Sequence, residues 1–472
     1  MMLLEIQNVS VKTKEGTTLV QPISLSLQQG KNITILGETG SGKSLLIQAI
    51  MGALPEGLIA SGQFFVETCK IDFNQQSEIE KLWGKTLVML PQEPRRSLNP
   101  IMAIGKQLWE SFHYVAGKSS PQAKTESQAY LAKLGLKESV ESYPHQLSGG
   151  MAQRASFAIA TAAGGKILLA DEPTKGLDPI SKGKVIELLK SAYQNGGGLL
   201  TITHDIEVAE QLGGYILVMK KGELLEQGEA ETLLSNPQHD YTKALIAADP
   251  KHWQPLQDLQ NLSQKHQLVS VKNLSVARGK KTLFSNLSFD LHKGEVLGIV
   301  GHSGIGKSSL ADVLCGLLKP KSGEIKWHSQ SHKKHQILKL YQDPPEAFAP
   351  NVSLQTLLDD VINKHKLDRL PIPSLLEQLS LNPEILQRSA ENVSGGELQR
   401  VAILRALLLD PVLLFADEVT SRLDPITQQE TIELLINQCR ARNCSLILVS
   451  HDPYLIEKSC DTVINLEDYL DK

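Results

Sequence analysis

The sequence predicts an α/β chain in which one domain occurs twice in tandem. Two observations carry this. The first is repetition. Five short motifs return in the same order: GETGSGKS (37–44) as GHSGIGKS (301–308), LPQEP (90–94) as YQDPP (341–345), LSGGMAQR (147–154) as VSGGELQR (393–400), ILLADEPTKGLDPI (167–180) as LLFADEVTSRLDPI (413–426), and TITHD (201–205) as LVSHD (448–452). The second is periodicity. Short apolar runs alternate with helical stretches, which is how a parallel sheet with crossover helices reads in sequence.

Taken in order, LLEIQNVSV (3–11) opens the first copy and LVSVKNLSV (268–276) the second. NITILG (32–37) is a β-branched apolar run, followed by glycines and the helical KSLLIQAIMG. KTLVML and QILKLY place a strand end just before Gln92 and Gln342. KILLAD (166–171) and GLLTITHD (198–205) read as buried parallel strands, with the helical SKGKVIELLKSAYQN (181–195) between them. The offset between copies is 264 at Lys43 and Lys307, 250 at Gln92 and Gln342, and 246–247 afterwards. The first copy therefore carries its extra residues in two places, as surface loops tolerate. A period this long indicates duplication of a whole domain, not a solenoid. The expected boundaries are 1–248, a polar Gln-rich linker at 249–267, and 268–472.

Composition narrows the class. The net charge of −4 gives no basic signature for nucleic acid. No apolar run is long enough to span a bilayer, and MMLLEIQNVS lacks the basic start and cleavage site of a signal peptide. Five cysteines without a CxxC pair suggest reduced, mostly buried thiols.

The chemistry begins with G-x-x-x-x-G-K-S between a strand and a helix, the P-loop. Its residues are Gly37, Glu38, Thr39, Gly40, Ser41, Gly42, Lys43 and Ser44, then Gly301, His302, Ser303, Gly304, Ile305, Gly306, Lys307 and Ser308. Backbone N–H groups and a helix N-terminus suit phosphate, Lys43 and Lys307 suit its β and γ groups, and Ser44 and Ser308 suit Mg²⁺. One such match would pass for a plain glycine turn; two in strand–loop–helix context do not. Asp171 and Asp417, each ending an apolar run, suit the metal shell. Glu172 and Glu418 follow as candidates to polarise an attacking water, and His204 and His451 as γ-phosphate contacts. Gln92 and Gln342 are further candidate ligands of metal or water. On its own, an Ala-Asp-Glu run would be a helix cap, and a histidine at a strand end would be structural.

Together these residues resemble the ABC ATPase family, the nucleotide-binding subunits of ABC transporters, over nearly the whole chain and twice. The resemblance implies two P-loop NTPase domains. Each would have a RecA-like α/β core, an antiparallel β subdomain and a helical subdomain, and would use ATP and Mg²⁺. It makes the Ser-Gly-Gly turn the family's signature, which faces the γ-phosphate held by the opposite domain. Ser148, Gly149 and Gly150 would then complete the site of Lys307, and Ser394, Gly395 and Gly396 that of Lys43. Asp178 and Asp424 resemble acids that cross the same interface. Intact hydrolytic residues in both copies imply two competent sites, paired within one chain. The family's adenine-stacking aromatic is absent: Thr13 and Arg278 hold those positions, which puts adenine selectivity in doubt.

PQEPRRSLNP (91–100) and NPQHDYTKALIAADP (236–250) resemble the oligopeptide, dipeptide and nickel importer subfamily, with Asp240 where a proline is usual. That implies two membrane permeases, an extracytoplasmic binding protein, a place on the cytoplasmic face of the cell membrane, and a cargo of peptides or metal chelates. The rival readings are a soluble tandem-ABC ATPase acting on a ribosome or enzyme complex, and a DNA-repair-like ATPase. The first would need a long charged linker and the second a long coiled coil, and the sequence has neither. WHSQSHKKH (327–335), with His328, His332 and His335, reads as a solvated loop in an antiparallel hairpin, with a metal sensor as the alternative.

Overall fold

Alternate residues of each buried strand go to opposite faces, and this builds the layers. In the strand Ile167–Asp171, Ile167 and Leu169 pack towards the antiparallel sheet, while Leu168 and Ala170 pack towards helices. In Leu413–Asp417 the same split puts Leu413 and Phe415 in one cluster and Leu414 and Ala416 in the other. A strand buried on both faces must be apolar throughout, which explains the continuous runs seen in the sequence. The protein is described by a computed structural model over residues 1–256, 266–279, 281–302, 304–328, 333–341, 347–421 and 423–470. Its compact units are Met1–Ile246 and Ala247–Lys472.

In the first unit a six-stranded sheet runs Glu223–Glu229, Tyr215–Lys220, Asn32–Leu36, Gly198–Thr203, Ile167–Asp171, Leu87–Leu90. Only its first pair is antiparallel. A four-stranded antiparallel sheet, built on Met2–Thr13 and Thr18–Gln28, covers one face. The helices Ile104–Glu110, Ser120–Lys133 and Gly149–Thr161 form the helical part. In the second unit the described residues form a five-stranded parallel sheet, Ile337–Leu340, Leu413–Asp417, Ser445–Val449, Val296–Val300, Thr462–Asn465. They also form a three-stranded antiparallel sheet and the helices Leu354–His365, Pro371–Gln378 and Gly395–Leu407. Both units thus have the tandem P-loop α/β architecture with antiparallel and helical additions. In each, the central strand Asn32–Leu36 or Val296–Val300 leads directly into the P-loop.

The stretch expected as a linker is partly structured. Trp253 is 3 % exposed within the core of the second unit, and its indole N–H donates to the Ala248 carbonyl at 2.8 Å. The Leu256 N–H donates to the Lys458 carbonyl at 2.7 Å, and Arg440 donates to the Leu256 carbonyl. Residues 249–256 therefore belong with the second unit, while 257–265 lie outside the described residues. The cause is one large apolar side chain in an otherwise polar segment.

Candidate functional site: two P-loop centres

Each P-loop turns into its helix through a glycine that must be left-handed: Gly42 has φ 90° and Gly306 φ 116°. The lysine that follows is curled back over the loop. Lys43, 5 % exposed, donates to the carbonyls of Gly37 and Glu38, both at 2.7 Å, and to Ser41 Oγ at 3.2 Å. Lys307 donates to the carbonyls of Gly301 at 2.7 Å and His302 at 3.2 Å. Thr39, Gly40 and Gly304 are exposed on the rim, while Ile305 is buried; Ser303 lies outside the described residues. Both loops are tied down from far along the chain. The Glu38 N–H donates to the Tyr241 hydroxyl at 3.0 Å, and the His302 N–H donates to a Glu467 carboxylate oxygen at 3.1 Å. Sequence reading missed both anchors; the only signal was Tyr241 inside the subfamily-like segment 236–250.

Beside the first P-loop, Asp171 ends its strand 4 % exposed, with Oδ1 lacking any partner. Burial pushes its carboxyl above the usual carboxylate range, and Glu172 adds to this; the Ser44 hydroxyl, Lys43 and Lys175 pull the other way. A buried carboxylate with an orphaned oxygen next to a serine hydroxyl is a hard-oxygen donor set that fits Mg²⁺. The next residue is strained: Glu172 has φ 47° and its counterpart Glu418 φ 52°, left-handed backbone that a glutamate rarely adopts. The turn aims each carboxylate at a histidine. His204 Nδ1 lies 2.9 Å and 2.8 Å from the two Glu172 oxygens, and His451 Nε2 lies 2.6 Å from Glu418 Oε1. Burial raises the Glu172 pKa, but the His204 charge and hydrogen bond, with Lys43 and Lys175, outweigh it and hold the group below its ordinary value. That keeps the carboxylate ionised at neutral pH.

The second centre has the same frame but different charges. Lys339 Nζ lies 3.2 Å from Asp417 Oδ2 and 3.3 Å from Asp312 Oδ1. Arg278 pairs with Asp312 and donates from Nε to Ser309 Oγ at 3.1 Å. Its guanidinium is thus engaged with the P-loop helix and not held out as a stacking platform. Thr13 Oγ accepts from the Thr17 N–H at 3.2 Å.

The Ser-Gly-Gly turns are helix starts. Ser148 caps Gly149–Thr161 by accepting from the Met151 N–H at 3.3 Å. Ser394 caps Gly395–Leu407 in a full capping box with Glu397, whose carboxylate accepts from the Ser394 N–H at 2.9 Å and hydroxyl at 2.7 Å. Ser148, Gly149, Ser394 and Gly395 are all exposed. A methyl on Gly395 would meet nothing, whereas one on Gly150 would lie 2.6 Å from Ser181 Oγ and 2.7 Å from its Cβ; Gly396 sits between, 3.3 Å from Thr427 Cγ2. Asp178 and Asp424 also cap helices, accepting from the N–H groups of Ser181 at 3.0 Å and Thr427 at 3.1 Å. Gln92 is exposed in the bend after Leu87–Leu90; Gln342 lies outside the described residues. Arg95, two residues beyond Glu93, donates to the Leu147 carbonyl and so ties the segment after Gln92 to the start of the Ser-Gly-Gly turn.

In the histidine stretch, His328 and His335 have separate partners. The His328 ring and Ser270 Oγ are 2.8 Å apart on the antiparallel sheet, whereas the His335 ring lies against His365 with centroids 4.5 Å apart. His332 lies outside the described residues, and among the described residues no group of His, Cys, Asp or Glu could hold a metal by itself. The strand Ser322–Trp327 pairs antiparallel with Gln267–Arg278.

Fold and site define a tandem P-loop ATPase. The family described as ABC transporter matches residues 20–175 and 284–421, and the chain belongs to that family; it is an ATPase that uses ATP with Mg²⁺. It is 32 % identical to the glutathione import ATP-binding protein GsiA of Escherichia coli O6:H1, over 96 % of this chain and 83 % of that protein. It is 30 % identical to the uncharacterized ABC transporter ATP-binding protein YejF of Escherichia coli K12, over 98 % and 94 %. Among solved structures, the RNase-L inhibitor shares the fold at TM-score 0.65 and 20 % identity, over 97 % of this chain and 87 % of that one. A ribosome-bound archaeal Pelota–ABCE1 model shares it at TM-score 0.66 and 21 % identity, over 97 % and 76 %.

Proposed function

We propose that the chain is the ATP-hydrolysing subunit of an ABC importer, energising uptake of peptides or metal chelates through two membrane permeases at the cytoplasmic face of the cell membrane. The observation that carries this reading is 32 % identity, over 96 % of this chain, to a protein named for glutathione import. The Tyr241 anchor supports it, because the subfamily-like extension is built into the first P-loop. No helix among the described residues is long and apolar enough to cross a membrane, so passage of cargo falls to partners.

In this reading Lys43 and Lys307 bind the β- and γ-phosphates. Ser44 with Asp171, and Ser308 with Asp417, hold Mg²⁺, joined by Gln92 and Gln342. The ion neutralises phosphate charge when bound. Glu172 and Glu418 orient the attacking water and accept its proton, and His204 and His451 hold those carboxylates in place. Residues 148–150 complete the site of Lys307, and residues 394–396 that of Lys43, so ATP closes the halves and hydrolysis releases them. The domains are 1–248 and 268–472, with residues 249–256 of the expected linker packed on the second through Trp253.

The test is a mild-detergent pull-down of tagged protein from native membranes, read by mass spectrometry. Two polytopic permeases, with or without an extracytoplasmic binding protein, are expected. Ribosomal proteins or soluble enzymes without a membrane protein would replace the importer with a soluble ATP-driven clamp.

A further inference from the structure

Among the aligned positions at which the two centres differ, three carry a linked set of charges that ends on one carboxylate. Counting from the P-loop lysines, Asp312 stands where the first copy has Gln48. Counting from the glutamines, Lys339 stands where it has Met89, and the register agrees: Met89 pairs with Leu169 and Lys339 with Phe415, two residues before the aspartate in each copy. Arg278 stands where the first copy has Thr13. The first centre therefore has a carboxylate, Asp171, with an orphaned oxygen and neutral neighbours at these positions. The second has a chain of alternating charge, Arg278–Asp312–Lys339–Asp417. The Lys339 and Asp417 side chains are only 8 % and 9 % exposed, and the ammonium also lies 3.4 Å from the Ser308 carbonyl, on the serine that follows the P-loop lysine.

We infer that Lys339 is a resident cation of the second centre, neutralising Asp417 where the first centre relies on Mg²⁺. This rests on the reading of Asp171 and Asp417 as metal-shell residues. To use Asp417, a divalent ion must compete with an ammonium that is already desolvated and paired. Asp312 gives the displaced lysine a second carboxylate to hold. The second centre then takes the divalent ion more weakly than the first, and the two centres are not equivalent despite their intact motifs. Lys339 is a positioning residue: it acts on the metal through Asp417.

The test is Mn²⁺ binding to the full chain, followed by electron paramagnetic resonance at saturating non-hydrolysable ATP analogue. Wild type is expected to show two classes of bound Mn²⁺ differing by about tenfold, the scale of one partly buried ion pair that must open. The weaker class should vanish in Lys307→Ala. Lys339→Met, which installs the residue of the first copy, should merge the classes at the tighter affinity. If that variant does not fold, the reverse transplant Gln48→Asp with Met89→Lys decides, and should weaken the first centre. A single class in wild type, or a weak class unchanged by Lys339→Met, overturns the inference while leaving the metal-shell reading intact. Absence of nucleotide-dependent Mn²⁺ binding at both centres overturns the metal-shell reading and the inference together.

Discussion

Gly395→Ala separates folding from function at the second Ser-Gly-Gly turn. Gly395 is the first residue of the helix Gly395–Leu407, is exposed, and has nothing within 4 Å of where its Cβ would be. An added methyl therefore costs nothing in packing. Alanine is favoured over glycine in helices by roughly 0.5–1 kcal/mol, less at the first position, so stability should be unchanged or slightly raised. The glycine is unexplained by its own unit. On the proposed cross-domain reading, its explanation is the approach of a phosphate to the helix N-terminus, where an N–H donor needs a contact of about 2.9 Å. A methyl beside that donor weakens one charge-assisted hydrogen bond, worth about 1.5–3 kcal/mol, or about 10- to 100-fold in closure.

The assay is steady-state ATP turnover, with thermal unfolding as the control. A folded variant whose turnover stays within about twofold of wild type, at subsaturating ATP, would refute the cross-domain role of this turn. Gly150→Ala is the contrasting variant. There the methyl would run into Ser181 at 2.6 Å, so stability itself should fall by about 1–3 kcal/mol, as for other overpacked sites. The pair of variants thus separates a glycine proposed to serve the ligand from one that serves helix packing.

Glu172→Gln and Glu418→Gln, made singly, should each lower ATP turnover by at least about half if both centres hydrolyse; a wild-type rate in either would show that centre to be silent. Trp253→Ala should destabilise the second unit by about 3–5 kcal/mol, read as an earlier urea transition for that unit alone. Glu397 is held below its ordinary value of 4.5, chiefly by the Ser394 hydroxyl and N–H. A depressed carboxylate stabilises above its unfolded value, so the stability gap between wild type and Glu397→Ala should be full at pH 7 and shrink as pH falls below about 4.5. A gap that does not depend on pH would show that the capping box is not electrostatic. Ellman's reagent at pH 8 should modify the exposed Cys69 quickly and Cys315 slowly, since burial pushes that thiol up to about 11. The buried Cys439, Cys444 and Cys460 should react only after unfolding.

Much of the site is legible in the sequence because its chemistry is local. A glycine loop between strand and helix must place Lys43 and Ser44 where it does, and an apolar strand ending in Asp-Glu must carry Asp171 out at the sheet's edge. What stays hidden depends on contacts between distant segments. The Tyr241 hydroxyl meets a backbone N–H 203 residues away, and Glu467 meets one 165 residues away. No periodicity announces either. The left-handed backbone at Glu172 and Glu418 is hidden for the opposite reason: glutamate is a residue one expects not to find there. Trp253 is submerged by composition, since the five polar residues and two prolines within four positions of it outweigh one indole in a sequence window but not in a core. Arg278 shows the limit of aligned positions. Its guanidinium could stack on a base, but Asp312, thirty-four residues on, already holds it.

The duplicated frame makes these differences informative. Both copies keep the strained glutamate and the histidine beside it. Yet the rings differ: His204 presents Nδ1 to its carboxylate and His451 presents Nε2. The imidazoles therefore stand differently towards whatever lies beyond them. The P-loop anchors also differ, a neutral phenol in one copy and a carboxylate in the other, and a carboxylate near a polyphosphate site is electrostatically unfavourable where a phenol is not. With the lysine on Asp417 these make three differences between the centres, although the P-loop glycines, lysine and serine, the Asp-Glu pair and the histidine are retained in both. On the proposed reading, the retained motif residues give both centres the same reaction. The charges one layer behind the motif then set how tightly each centre takes its divalent ion, which the Mn²⁺ experiment measures.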